Sequence, residues 1–156
     1  MNPASFQIRQ AGEGDLAALC DLYQFLLPGD ARPTPVQAAA ILRQFQRYEG
    51  SAIFLLEEGA RLCASCTLVV VPNLTRGGTP YGLIENVVTH PDARRRGHGK
   101  AVLRAAVNSA WETGCYKVML MTGSRRPGTL AFYADVGFEQ SKTGFQIRRI
   151  APRDEV

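Results

Sequence analysis

The chemically densest stretch of the chain is Arg94-Arg95-Arg96-Gly97-His98-Gly99-Lys100. Its two glycines permit a tight bend and let backbone N–H groups come close to a ligand. The apolar pattern that follows opens a helix, whose first turn adds unpaired N–H donors and the positive end of the helix dipole. Together these make an anion site. Arg94, Arg95, Arg96 and Lys100 strengthen its field. Taken alone, the run reads equally as a solvated basic turn. It is not a dinucleotide fingerprint, because the third spaced glycine is missing, and not a P-loop, because no Ser or Thr follows Gly99-Lys100.

Upstream, the polar pair Glu85-Asn86 interrupts an apolar strand pattern. Strand alternation puts Ile84, Asn86 and Val88 on one face and Glu85, Val87 and Thr89 on the other. A carboxylate in a substrate cleft can take an ammonium proton, directly or through water, or can hold the amine. A solvated glutamate at a strand end fits the same residue. Asn86 is a weaker candidate for contacts to polar substrate groups. Cys63-Ala-Ser-Cys66 has C-x-x-C spacing, but strand residues three apart point to opposite faces and no second ligand pair follows. Cys115 reads as core. His90 and His98 have no neighbouring metal partner in sequence, so no metal is expected.

These residues need elements to position them. Residues 4–10 alternate apolar and polar, as a half-buried strand does. A helix follows from Asp15 through Leu27, stopped by Pro28-Gly29, and a second starts at Thr34 and ends near Gly50. There Pro35 suits the first helical position, and Gln37 completes a capping box. Residues 52–57 and 61–71 form a hairpin, 72–80 a loop and 81–89 another strand. Helical spacing from Ala101 to Ala110, closed by Gly114, precedes 115–121, whose nearly continuous apolar run is that of a central strand. A short helix over 128–136 and a final pair of strands within 138–150 complete the chain. The strand–helix–strand unit 81–121 implies a parallel pair with a right-handed crossover. The expected fold is α/β: one mixed, mostly antiparallel sheet with helices on both faces, in a single domain over 1–156.

Ile84-Glu85-Asn86-Val87-Val88-Thr89-His90-Pro91, Arg94-x-x-Gly97-x-Gly99, Gly114-Cys115-Tyr116-Lys117 and Phe132-Tyr133-x-x-x-Gly137-Phe138 resemble the GNAT superfamily of acyl-CoA-dependent N-acetyltransferases. The likeness is strong over 81–138, and the Ile-Glu-Asn and Gly-Cys-Tyr-Lys segments look closest to the glucosamine-6-phosphate N-acetyltransferase type. The resemblance implies acetyl-CoA as co-substrate. Its pyrophosphate would rest on the loop Arg94, Arg95, Arg96, Gly97, His98, Gly99, Lys100, and its pantetheine arm would run along Val87, Val88 and Thr89. It implies that this strand splays from its parallel neighbour at a bulge and that Tyr133 protonates the departing thiolate. Glu85, from its place in the strand, is the candidate base or amine holder. Many members carry an asparagine where this chain has Arg126, which could instead meet a CoA phosphate, and Pro127-Gly128 would delay the helix start. The reaction implied is direct attack by a primary amine in a ternary complex. Alternatives are an amino-sugar-phosphate acceptor, with Arg32, Arg43, Arg47 or Arg76 reading its phosphate, and a non-catalytic acyl-CoA sensor. The acceptor is expected to be a small-molecule amine rather than a protein. The loop 72–80 would line its site or a dimer contact, and a homodimer is compatible with the family.

Composition excludes other classes. With 156 residues, 46% hydrophobic and 21% charged, the chain reads as globular and soluble. No run approaches the ~20 apolar residues of a membrane helix. The first fifteen residues hold no apolar signal core, so the four cysteines are expected as thiols in a cytoplasmic protein. Of the overall charge of +4, six cations and Asp92 leave the 92–100 and 125–126 loops at +5, and the remainder at −1. The excess is therefore local, suited to a polyanionic cofactor, and no stripe for nucleic acid is present.

Overall fold

The computed structural model describes residues 5–150; Ala4, expected to begin the first strand, lies outside them. Five strands form one sheet in chain order: β1 (Phe6–Gln10), β2 (Ala52–Glu58), β3 (Arg61–Val71), β4 (Tyr81–Thr89) and β5 (Val118–Leu120). The first four pair antiparallel, and β4 and β5 pair parallel. The helices are α1 (Leu16–Tyr23), α2 (Pro35–Phe45), α3 (His98–Glu112) and α4 (Pro127–Ala134). This is the expected mixed sheet. Among the described residues no helix is long and apolar enough to cross a membrane.

Local chemistry explains the helix starts. The Thr34 hydroxyl accepts from the Gln37 N–H at 3.3 Å, and the Gln37 side chain accepts from the Thr34 N–H at 2.9 Å, with Pro35 as the first helical residue. Both of the first helices end earlier than their apolar periodicity suggests. Residues 24–29 leave α1 as turns, and 46–50 leave α2 likewise.

The two faces of β3 receive different helices. On one, Ala64, Cys66 and Leu68 are fully buried, and the Cys66 thiol donates to the Val102 carbonyl of α3 at 3.5 Å. On the other, Ser65 and Thr67 lie beneath α1, the Tyr23 phenol approaching both. Leu55, Leu56, Leu68, Ile84, Val102 and Leu103 form the centre of the core, each contributing roughly 1.5–3 kcal/mol by burial. Leu56, Leu68, Ile84, Val102 and Leu103 belong to the cluster that packs α3 on the sheet, whereas Leu55, opposite Ser65, shares the α1 face.

Three expectations fail here. The 115–121 run yields a three-residue, half-buried strand at the edge of the sheet, not its centre. Its Val118 and Leu120 pack on the core, and such packing does not require a strand on the outer side. Residues 138–150 form no strand, and Phe145, Ile147 and Ile150 stand 92%, 99% and 82% exposed. Alternation makes a ladder only where a partner strand is present. Finally, Cys63 and Cys66 do not face opposite ways. A register shift leaves Cys63 unpaired between Leu56↔Ala64 and Glu57↔Leu62, and its thiol lies beside His98 at the start of α3, on the side that Cys66 also faces.

Candidate active site

The site is built on an irregularity in β4. Thr67 pairs with Glu85 and Ser65 with Val88, so three steps along β4 match two along β3. The extra residue is absorbed at Asn86, whose φ is +51°, a value asparagine tolerates better than most residues. Such a bulge bends the strand and increases its twist. On the other side, β4 meets β5 only from Gly82 to Ile84. Beyond that point the two strands part, and among the described residues no strand lies on this side of the backbone edge from Glu85 to Thr89. The bulge also corrects the expected face assignment. Glu85 and Val88 share the α1 face with Thr67 and Ser65, while Ile84 and Thr89 share the α3 face with Leu68 and Ala64.

From Thr89 a short 3-10 turn (Pro91–Ala93) leads into the basic loop. Arg95 (φ +60°) and Gly97 (φ +81°) turn the chain, and Gly97 caps α3 without any side-chain bond. The first-turn N–H groups of α3 are therefore free for a ligand. At Gly99 a β-carbon would lie 2.9 Å from Thr89 Oγ1 and 3.1 Å from the Phe132 ring. Only glycine lets α3 start flush against β4 and α4. The Arg94 Nε–H donates to the Thr89 carbonyl at 3.2 Å, and Arg95 has no ion-pair partner among the described residues.

The other loop side chains are engaged. Arg96 donates to Glu58 Oε1 at 2.6 Å, and His98 Nε2 lies 2.8 Å from the same oxygen. Lys100 reaches Asp135 at 2.5 Å. Of the residues expected to hold the cofactor, Arg96 and His98 thus direct their side chains to Glu58 at the end of β2. Glu58, Cys63 and His98 bring three donor atoms within 4.8 Å of one another. Glu58 is already bonded to Arg96 and His98, so the group clasps the β2–β3 hairpin to α3.

A cleft of about 550 Å³ opens between these parts, within the roughly 300–1,000 Å³ usual for ligand sites. Val87, Val88 and Thr89 form one wall, and Arg94, Arg95 and residues 97–100 form the floor. Gly128, Thr129, Phe132 and Tyr133 of α4 close it, with Phe25 and Leu26 opposite. The Tyr133 ring meets Phe132 edge-on at 5.0 Å and Phe138 at 6.3 Å. Its hydroxyl bonds to no described residue. Burial, with a smaller push from the Cys66 thiol, raises its pKa, so the phenol holds its proton. Arg126 lies outside this cleft as the N-cap of α4, and Pro127 is the first helical residue, so the helix is not delayed.

A second cleft, of about 200 Å³, lies on the α1 side. Tyr23, Gln24, Arg32 and Asn86 line it, and Leu26 borders both clefts. Of the four arginines proposed as phosphate readers, only Arg32 lines it, paired there with Asp21. Glu85 is exposed and lines neither cleft. The 72–80 loop also lines neither, and Asn73 closes it internally by donating to Thr75 Oγ1 at 2.9 Å. Tyr23, Phe25, Leu26 and Phe132 were not legible as site residues. Their apolar spacing reads as helix core, and only the Pro28-Gly29 stop hints that the chain leaves the helix early.

Comparison with known proteins agrees with this geometry. The model of the acetyltransferase (GNAT) family matches residues 16–138. A glucosamine 6-phosphate N-acetyltransferase of Trypanosoma brucei brucei is 31% identical over 134 residues, spanning 85% of this chain and 88% of that protein. A putative acetyltransferase from Agrobacterium tumefaciens str. C58 is 47% identical, with a TM-score of 0.86 over 92% of this chain and 99% of that one. The Arabidopsis thaliana glucosamine-6-phosphate N-acetyltransferase shares the fold at 21% identity and a TM-score of 0.85, over 94% of this chain and 99% of that one. The open β4 edge, the glycine loop at the start of α3 and the tyrosine of α4 stand within the matched region: the chain belongs to the GNAT family and is an N-acetyltransferase.

Proposed function

We propose that the larger cleft binds acetyl-CoA and that the smaller one receives a primary amine of the amino-sugar-phosphate class. One observation carries the reading: a single cleft unites the free N–H groups of α3, the unpaired edge of β4 and the unbonded hydroxyl of Tyr133. The residues present fit the cofactor. Donors and cations of the loop 94–100 suit a pyrophosphate, and an open strand edge suits an arm that carries amides.

Each step then falls to a group of this chain. A backbone N–H near Val88 polarises the thioester carbonyl and holds the oxyanion. Glu85 takes the ammonium proton or holds the amine. Tyr133 gives its proton to the departing thiolate. Holding both reactants side by side supplies much of the acceleration. The acceptor class rests on the glucosamine 6-phosphate N-acetyltransferases to which the chain is similar and on Arg32 at the wall of the smaller cleft.

Free-thiol release from acetyl-CoA against a panel of amines tests this. Glucosamine 6-phosphate is expected to give turnover at least about tenfold above glucosamine, since loss of a charge-assisted phosphate contact costs more than 1.4 kcal/mol. Equal turnover would remove the phosphate, and binding of acetyl-CoA with no thiol release from any amine would favour a sensor.

A further inference from the structure

Two hydroxyls at the centre of the molecule have no hydrogen-bond partner among the described residues: Ser65 Oγ and Thr67 Oγ1, on side chains 0% and 7% exposed. A buried hydroxyl left without a partner is destabilising, and native structures seldom keep one without an ordered water or a chemical role. Their position is specific. They are two residues apart on β3 and share its α1 face. Thr67 stands opposite Glu85 and Ser65 opposite Val88, the residues that flank the β4 bulge. Cross-strand neighbours hold their β-carbons about 4.5–5.5 Å apart, and the register makes Thr67 and Glu85 such neighbours on one face of the sheet.

A third hydroxyl completes the group. Burial pushes the Tyr23 phenol up, and the nearby Thr67 and Ser65 hydroxyls temper that push. No bond of ordinary length and angle joins them, however. Tyr23 lines the smaller cleft together with Asn86, the bulged residue. The titratable groups around the three hydroxyls are Tyr23 and Cys20 of α1, Cys66 of β3 and Glu85 of β4. The array thus runs from the wall of the smaller cleft, beneath the bulge, to an exposed carboxylate.

We propose that Tyr23, Thr67 and Ser65, with a water held between them, relay the proton of the acceptor ammonium to Glu85. The ammonium N–H bond breaks and an O–H bond forms on the relay. Each oxygen passes on its own proton, and Glu85 ends as the carboxylic acid, which exchanges with solvent. The nitrogen keeps its electron pair for attack on the thioester carbonyl. A hydroxyl, with one donor and two acceptor positions, is suited to such a chain. This inference rests on the acetyltransfer reading of the same site and explains how Glu85 can act while lining neither cleft.

Thr67→Val tests it, because valine keeps the shape and removes only the oxygen. With glucosamine 6-phosphate as probe, kcat at pH 7 is expected to fall about tenfold, less than loss of a direct acid or base. The deficit should shrink to within about twofold at pH 9.5, where solvent removes the proton. KM for acetyl-CoA should be unchanged, and the variant should melt at or above the wild-type temperature, since an unpartnered hydroxyl is lost. Tyr23→Phe should give the same pH pattern, and serves if Thr67→Val fails to fold. An unchanged kcat, or a deficit equal at both pH values, would overturn the relay while leaving acetyl transfer intact. If the wild type does not acetylate glucosamine 6-phosphate, the acceptor assignment fails separately. A crystal structure then decides the relay: an ordered water bonded to Ser65 Oγ and Thr67 Oγ1 is expected, and a dry site would overturn it.

Discussion

Gly97→Glu is expected to abolish acetyl-CoA binding, with affinity lowered at least about 100-fold in calorimetric titration. Two effects combine at this position. The residue has φ +81° and caps α3 without a side-chain bond, so its backbone sets the direction of the free N–H groups. A β-carbon there meets nothing within 4 Å, so a glutamate side chain fits without disturbing the core. It would, however, place a carboxylate among donors and cations arranged for phosphate. Juxtaposing like charges at a binding site costs several kcal/mol, far more than the left-handed strain of one residue, about 1–2 kcal/mol. Gly97→Asn separates the two terms. Asparagine accepts the left-handed region and carries no charge, so it should keep affinity within a few-fold. Retained binding by the glutamate variant would remove the loop from the cofactor site.

Tyr133→Phe is expected to lower kcat by about 100-fold or more, the usual range for loss of a positioned proton donor. KM for acetyl-CoA should be little changed, because the ring stays packed against Phe132 and Phe138. The sign of the pH dependence follows from burial. The pKa of this phenol is raised above its ordinary value of 10.0. As an acid it is active while protonated, so it imposes no loss between pH 6 and 9 and fails only as pH climbs past its raised pKa. The wild type should therefore be flat in this group over that window. The variant should be uniformly slow across it, in contrast to the pH-dependent deficit of Thr67→Val. If Tyr133 were only a core aromatic, kcat would hold and only thermal stability would shift.

The sheet, the helices and the basic loop were legible because each rests on local signals. Apolar period, the Thr34–Gln37 capping box and the paired glycines of the loop lie within a few residues of what they specify. The details that complete the site depend on contacts distant in sequence. The family resemblance implies a bulge in this strand, yet no local pattern places it at Asn86, although asparagine is the one residue there suited to φ +51°. That single insertion turned Glu85 to the same face as Val88. Likewise, Arg96 and His98 read as part of a cationic loop, but Glu58, about forty residues earlier, draws their side chains away. The apolar run 115–121 that contains β5 and the apolar residues after Phe138 describe side chains that can pack. Whether a strand lies beside them is a tertiary matter.

The charge distribution changes in the same way. The loop was expected to act as a block of positive charge. Arg96 is held by Glu58 and Lys100 by Asp135, which leaves Arg94, Arg95 and the α3 terminus as the charges at the cleft with no ion-pair partner among the described residues. Backbone donors therefore matter more, and side-chain cations less, than the count of arginines suggests.

A crystal structure with coenzyme A tests the central claim most directly. The pyrophosphate is expected on the backbone N–H groups of residues 97–100, the arm along Val87 to Thr89, and the sulfur beside the Tyr133 hydroxyl. A pyrophosphate seated away from the start of α3, or a sulfur out of reach of Tyr133, would contradict it.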